Sequence, residues 1–255
     1  MQKHLGRSLG ALAMAVAAIA VFASVASAKP KPPYEQFAGC PSTTPGISSC
    51  IHSVVKSGHF KIGSKEVPIE KSIPLTGGFG ELTGPISFNS EGGLGVVKQK
   101  VPGGVIGLTG LTWLAEFLGS EALTLYAAAE LAGTPIAEGL EALRLPIKVH
   151  LINGALGSKC YIGSTSSPIA LHLLATSKPE VAFDFETEIL HVNNGGFADK
   201  TFSVPGANGC VLTLFGFIPI SINGLVNSES GLPAASGNEA VQVIDTELVE
   251  AELVK

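Results

Sequence analysis

Ile147-Lys148-Val149-His150-Leu151 places three aliphatic side chains on one side of an extended chain and two ionisable ones on the other. A period of two is the pleat of a β-strand, one face turned to a core and one to water. The pattern returns at Ile169-Ala170-Leu171-His172-Leu173. It runs longest over 181–189, where Val181, Phe183, Phe185, Thr187 and Ile189 oppose Asp184, Glu186 and Glu188. Between these stretches lie clusters of Gly, Pro, Asn and Ser, the residues of tight turns. Half-buried strands joined by turns predict an antiparallel sheet, and their number predicts a mainly β fold, an antiparallel β-sandwich or barrel-like domain.

Towards the N-terminus the same reading is less regular. Residues 60–75 alternate in short runs broken at Gly63 and Pro68. Thr76-Gly77-Gly78-Phe79-Gly80 then reads as a hairpin turn, and a strand resumes around Ile86-Ser87-Phe88. Over 105–145 two periods compete. Leu111, Leu114, Phe117 and Leu118 fit helical spacing, which predicts a short helical insert near 111–119. Leu123, Leu125, Ala127, Ala129 and Leu131 alternate, which predicts a strand near 122–132. Trp113 reads as a core filler. Residues 29–50 are rich in proline and hold two cysteines, so they read as a disulfide-stapled arm leading into a single β-rich domain over 51–255.

Residues 1–28 stand apart. Lys3, His4 and Arg7 precede an almost unbroken Ala/Val/Leu/Ile/Phe stretch, and Ala26-Ser27-Ala28 supplies the small residues of a cleavage site. This is the pattern of a secretory signal peptide. Its loss removes Lys3 and Arg7 and moves the formal charge from −5 to −7. An acidic chain with one Trp and three Tyr has neither the basic footprint nor the stacking platform of a nucleic-acid binder. The four cysteines all follow the leader, an even count suited to an oxidising compartment. Three pairings are open, of which Cys40 with Cys50 and Cys160 with Cys210 needs no crossing of the chain. A metal site is the weaker reading, because no two cysteines form a C-x-x-C pair.

Three segments occur together in the second half: Leu145-Pro146-Ile147-Lys148-Val149-His150-Leu151 running into Leu156-Gly157-Ser158-Lys159-Cys160-Tyr161-Ile162-Gly163-Ser164, then Asp199-Lys200-Thr201-Phe202-Ser203-Val204-Pro205-Gly206-Ala207-Asn208-Gly209-Cys210, then Gly231-Leu232-Pro233-Ala234-Ala235-Ser236-Gly237-Asn238-Glu239-Ala240-Val241. With Phe37-Ala38-Gly39-Cys40-Pro41 and Pro102-Gly103-Gly104 they resemble the landmarks of a family of secreted actinobacterial proteins of uncharacterised function. The resemblance implies export and agrees with a Cys160 to Cys210 bridge. It implies no activity, catalytic residue, cofactor or ligand, and residues 105–143 fall outside it.

The chemistry-bearing residues form few patterns. No Gly-x-Ser-x-Gly elbow and no His-Glu-x-x-His zinc motif occurs, and Gly163-Ser164 and Ser228-Glu229-Ser230-Gly231 read as ordinary turn chemistry. Gly103-Gly104-Val105-Ile106-Gly107 lacks the lysine of a P-loop and reads as a turn. Asp184, Glu186 and Glu188, two apart on one strand, would project from one face at about 6.5–7 Å spacing. That separation suits an inverting glycosidase or an oxygen-ligand cation site. An acidic row opposite an apolar one is also the ordinary wet face of a sheet, and that reading is preferred. Among His52, His59, His150, His172 and His191, His150 and His172 lie on polar faces and could meet across adjacent strands, without a third metal ligand. The apolar run 105–118 has Glu116 as its only charge and lacks the flanking Lys/Arg of a membrane-surface segment, so core packing or a protein-facing patch is expected.

The sequence therefore leads to a secreted, non-catalytic structural or binding protein at or outside the cell envelope. Its only assigned residues are the four cysteines. No cofactor, no nucleic acid and no membrane anchor after cleavage are expected, and its ligand is an unidentified extracellular or envelope component. The alternative is an extracellular hydrolase acting on glycans through Asp184, Glu186 or Glu188; a third reading is envelope association through 105–118.

Overall fold

The computed structural model describes residues 30–115, 123–214 and 218–255. The expected signal peptide lies outside them. The first strands are β1 (Ser49–Ile62), β2 (Lys65–Pro68), β3 (Ile73–Phe79), β4 (Thr83–Pro85), β5 (Gly93–Leu94) and β6 (Gln99–Lys100). After helix α1 (Gly104–Thr109) come β7 (Tyr126–Leu131), β8 (Ile136–Glu138), β9 (Ala142–Ile152), β10 (Tyr161–Ile162), β11 (Ile169–Ala175), β12 (Glu180–Asp184) and β13 (Ile189–Asp199). Then follow β14 (Ala207–Asn208), β15 (Val211–Leu214), β16 (Ile218–Ser221), helix α2 (Asn223–Ser230) and β17 (Glu239–Glu250). Every ladder is antiparallel. The chain is mainly β, as its alternation predicts.

Strand β9, which carries the Ile147-to-Leu151 alternation, is the hub. One edge pairs with β11 and β10, and the other with β7 and β8. From β9 the sheet runs through β11, β13, β17, β1 and β3. The β1–β17 ladder is the longest, from Ser49↔Glu250 to Lys61↔Glu239, with a register shift between Val55 and Ser57 that marks a bulge and bends the strand. On its other side β9 leads through β8 to β4. The residue two beyond β4 meets β3: Gly78 and Ser87 exchange a pair of 2.8 Å hydrogen bonds. The sheet is thus a curled half-barrel whose ends are tied by one bridge.

That seam depends on close approach. A Cβ at Gly77 would sit 2.7 Å from both Ile86 Cγ2 and the Ser87 carbonyl oxygen, so glycine is what lets the 86–88 segment lie against β3. Further along, the buried Gln99 does by side chain what a ladder does by backbone. Its Oε1 accepts from the amides of Glu70 and Lys71 at 3.0 Å, and its Nε2 donates to the Lys71 carbonyl at 2.6 Å.

Besides a small cluster of Leu75, Ile86 and Ala137 at the seam, two hydrophobic cores use opposite faces of this sheet. The larger fills the concave side and includes Leu145, Ile147, Val149 and Leu151 of β9 with Ile169, Leu171 and Leu173 of β11. Helices α1 and α2 pack together and add Val105, Leu108 and Val226 to it. The smaller core lies outside, where Phe37 and Cys40 of the N-terminal arm meet Cys50, Ile189, Val249, Ala251 and Val254. Disulfides Cys40–Cys50 and Cys160–Cys210 are both formed, and no described cysteine is free.

Several local expectations are corrected. Thr76-Gly77-Gly78-Phe79 is strand, and its glycines serve packing rather than a turn. The helix described in full is Gly104–Thr109, earlier than the expected 111–119; Leu114 and Ala115 are helical, and residues 116–119 lie outside the described residues. The 122–132 strand is present as Tyr126–Leu131. Trp113 is 42% exposed and so is not a core filler, whereas Val105 and Leu108 of the apolar run are buried as expected. The long strand expected over 181–189 is two strands with a turn between them. Asp184 closes that turn by accepting from the Glu186 amide at 2.9 Å and the Thr187 hydroxyl at 2.8 Å. Among the described residues β12 pairs with β13 alone, and its apolar residues remain exposed: Val181 60%, Phe183 46%, and Phe185 of the turn 87%.

Candidate functional site

The curled sheet does not fill its own interior. Two chambers of about 110 and 100 Å³ remain on the concave side. A water needs roughly 10–15 Å³ of such space, and a cavity near 150 Å³ takes a benzene ring, so each chamber exceeds a packing defect. The alternation of β9 builds both: Leu143 and Leu145 face the second chamber, and Leu145, Ile147, Val149 and Leu151 the first. From β1, Ile51 and Val55 face the second, and Val55, Phe60 and Ile62 the first. The chambers share Val55, Leu94, Leu145 and Gln242, so they adjoin along one path. Leu140 lines both the second chamber and an outer cleft bounded by Leu82, Phe183, Leu190 and Leu248, so the chamber and the cleft adjoin at this side chain.

Few polar groups break this lining. Ser53 and Thr246 satisfy each other at 2.9 Å between their hydroxyls. Gln242 is buried at the waist between the chambers, with no side-chain hydrogen bond among the described residues. Ser230, the last residue of α2, is 1% exposed, and its Oγ has no partner among the described residues. An orphaned buried hydroxyl costs about 1–3 kcal/mol, so native structures rarely keep one. Both chambers together have one charged lining residue, Lys65 at the start of β2. Its strand register places it with Val67 on the face that lines the first chamber.

The side chains singled out in the sequence are elsewhere. Asp184 ends β12, while Glu186 and Glu188 lie in the turn, so the three do not share a strand face. The hydrogen bonds from Glu186 N–H and the Thr187 hydroxyl hold the Asp184 carboxyl below its ordinary range. A general acid needs the opposite shift. His150 and His172 do not meet: His150 pairs across from Ala128 and Tyr161, and His172 across from Arg144, at different places along β9. Each has its own carboxylate, His150 Nδ1 at 3.1 Å from Glu130 and His172 Nε2 at 2.8 Å from Glu138. The Arg144 hydrogen bond, then that of His172, keeps Glu138 low.

Glu130 also lies 3.3 Å from Lys148 Nζ and accepts from the Tyr161 hydroxyl at 3.4 Å, while His150 stacks on Tyr161. Burial pushes the Tyr161 phenol up. This outer-face cluster is satisfied within itself. Among the described residues no group of three or more His, Cys, Asp or Glu is placed to hold a metal ion, and no helix is long and apolar enough to cross a membrane.

No family model, curated protein or solved structure matches this chain. The site is therefore read from its own chemistry. The sequence reading took Ser230 as part of a turn, where it ends helix α2, and passed over Lys65 and Gln242 because each sits in an ordinary context, a hairpin and a strand. Only Gln242 left a signal: it occupies an inward position between Ala240 and Ile244, where an apolar residue is the rule.

Proposed function

We propose that this chain is a secreted, non-catalytic binding protein acting at or outside the cell envelope, and that the interior of its curled sheet is the site for an apolar small molecule. The observation that carries this reading is the pair of adjoining chambers, walled mostly by aliphatic side chains and separated from the outer cleft by Leu140. Two disulfides, the signal-peptide pattern and the resemblance to exported actinobacterial proteins support the compartment. The hydrolase alternative needs carboxylates converging on a concave site, and the chambers are lined by none.

Energetics favour a long ligand over a small one. Micromolar binding is about 8 kcal/mol and association costs at least about 4 kcal/mol, so at about 0.8 kcal/mol per buried methylene roughly 15 methylenes are required. The test uses N-phenyl-1-naphthylamine, a neutral dye whose emission rises in apolar surroundings. The protein should bind it in the micromolar range, and Ala129→Trp, which fills the first chamber, should abolish the signal with the circular dichroism unchanged. The milder Ala127→Leu should weaken binding. Undiminished dye binding in both variants would place the dye on the surface and overturn the reading.

A further inference from the structure

The unmatched polar groups of the first chamber carry a statement about the ligand's head. Ser230 Oγ is buried, has no partner among the described residues and belongs to a residue of the chamber lining. Lys65 is half-buried, faces the same chamber and forms no ion pair among the described residues. The two belong to neighbouring segments, because the Ser64 amide donates to the Ser230 carbonyl at 3.0 Å. An ammonium and a hydroxyl donor beside an apolar chamber free of acidic lining match a single anionic oxygen group.

The length of the interior supplies the rest. Inward residues of β9 run from Leu143 to Leu151. That is about 26 Å along the strand, or roughly 20 Å along the axis of a barrel-like sheet with tilted strands. An extended hexadecanoyl chain has this span. We propose that the interior binds a long-chain carboxylic acid, its carboxylate held between the Lys65 ammonium and the Ser230 hydroxyl and its alkyl chain running past Gln242 and Leu140 into the outer cleft, whose volume of about 350 Å³ supplies the room that chambers of about 110 and 100 Å³ lack. This rests on the interior being a binding site, and adds which chemical class fills it and in which direction.

The test is competition against N-phenyl-1-naphthylamine at neutral pH by palmitate, methyl palmitate and hexadecanol. The full-length protein should prefer palmitate over its methyl ester by about tenfold, the worth of one charge-assisted contact. Lys65→Met should erase that preference while leaving methyl palmitate affinity unchanged. Ser230→Ala should weaken palmitate by about fivefold. Gln242→Leu should keep the preference. Equal affinity for acid and ester in the wild type, or a preference lost in Gln242→Leu and retained in Lys65→Met, overturns the head-group assignment while the cavity reading survives. No displacement by any of the three removes the cavity reading itself.

A readout without variants is the carboxyl resonance of carbonyl-13C palmitate bound to wild-type protein. Its titration midpoint should lie below that of the unbound acid. A raised midpoint, the mark of a carboxyl among aliphatic side chains with no cation, overturns the assignment.

Discussion

Gly77→Ala tests the seam. The added Cβ would lie 2.7 Å from Ile86 Cγ2, 2.7 Å from the Ser87 carbonyl oxygen and 2.8 Å from Phe88 Cδ1. One of these is backbone, so a rotamer change cannot relieve the clash and the 86–88 segment must move off β3. Overpacking of this kind costs about 1–3 kcal/mol. Alanine returns about 0.4–1 kcal/mol by restricting the unfolded chain. The net expectation is a loss of about 1–2 kcal/mol, or roughly 2–8 °C in melting temperature for a chain of this size. Gly84→Ala is the control: it lies in the adjoining strand β4, and its nearest neighbour would be the Glu81 carbonyl oxygen at 3.6 Å, ordinary contact. Urea unfolding should rank Gly77→Ala below wild type and Gly84→Ala at or above it. If the two variants unfold at the same midpoint, close approach is not why glycine stands at the seam.

Other perturbations follow from the same geometry. Replacing both Cys160 and Cys210, 50 apart, should cost about 4 kcal/mol, and Cys40 with Cys50, 10 apart, about 3 kcal/mol; urea midpoints in the reverse order would refute the loop-length reasoning. Asn238→Ala removes three hydrogen bonds, to the Gly63 amide and the carbonyls of Phe202 and Ala234, from a buried site, so about 3 kcal/mol or more should be lost; a loss under about 1 kcal/mol contradicts it. Burial holds the His52 imidazole below its ordinary value, with Glu247 acting in the opposite sense. The unfolded chain then binds the proton first, so stability should fall as pH drops through about 6.5. His52→Gln should flatten the urea midpoint between pH 7.5 and pH 5; an unchanged slope would locate the effect elsewhere.

What could be read from residue order followed from local periodicity. Strand β9 announces itself because its inward residues are all aliphatic over a full pass of the interior. The disulfides were legible because neighbouring cysteines pair without the chain crossing itself. The 181–189 stretch misled for a physical reason: Asp184 caps a turn, and its two-residue periodicity continues through a segment that no second layer covers. The seam was illegible because Gly77 and Gly78 resemble turn residues until the segment that presses on them is known. Ser230 and Lys65 were illegible as a pair because a hydrogen bond between Ser64 and the end of α2, far apart in the chain, brings them together.

Among the described residues strand β12 leaves one edge of backbone donors and acceptors unpaired, with exposed aromatic rings beside it. Such edges recruit further copies of themselves. Laid antiparallel about Ala182, however, two molecules would set Glu180 of each against Asp184 of the other, like charge facing like charge. Asp184, one of the carboxylates that first suggested catalysis, thus acts with Glu180 as a guard against fibrous stacking, and concentrated solutions should stay monodisperse until acid neutralises them.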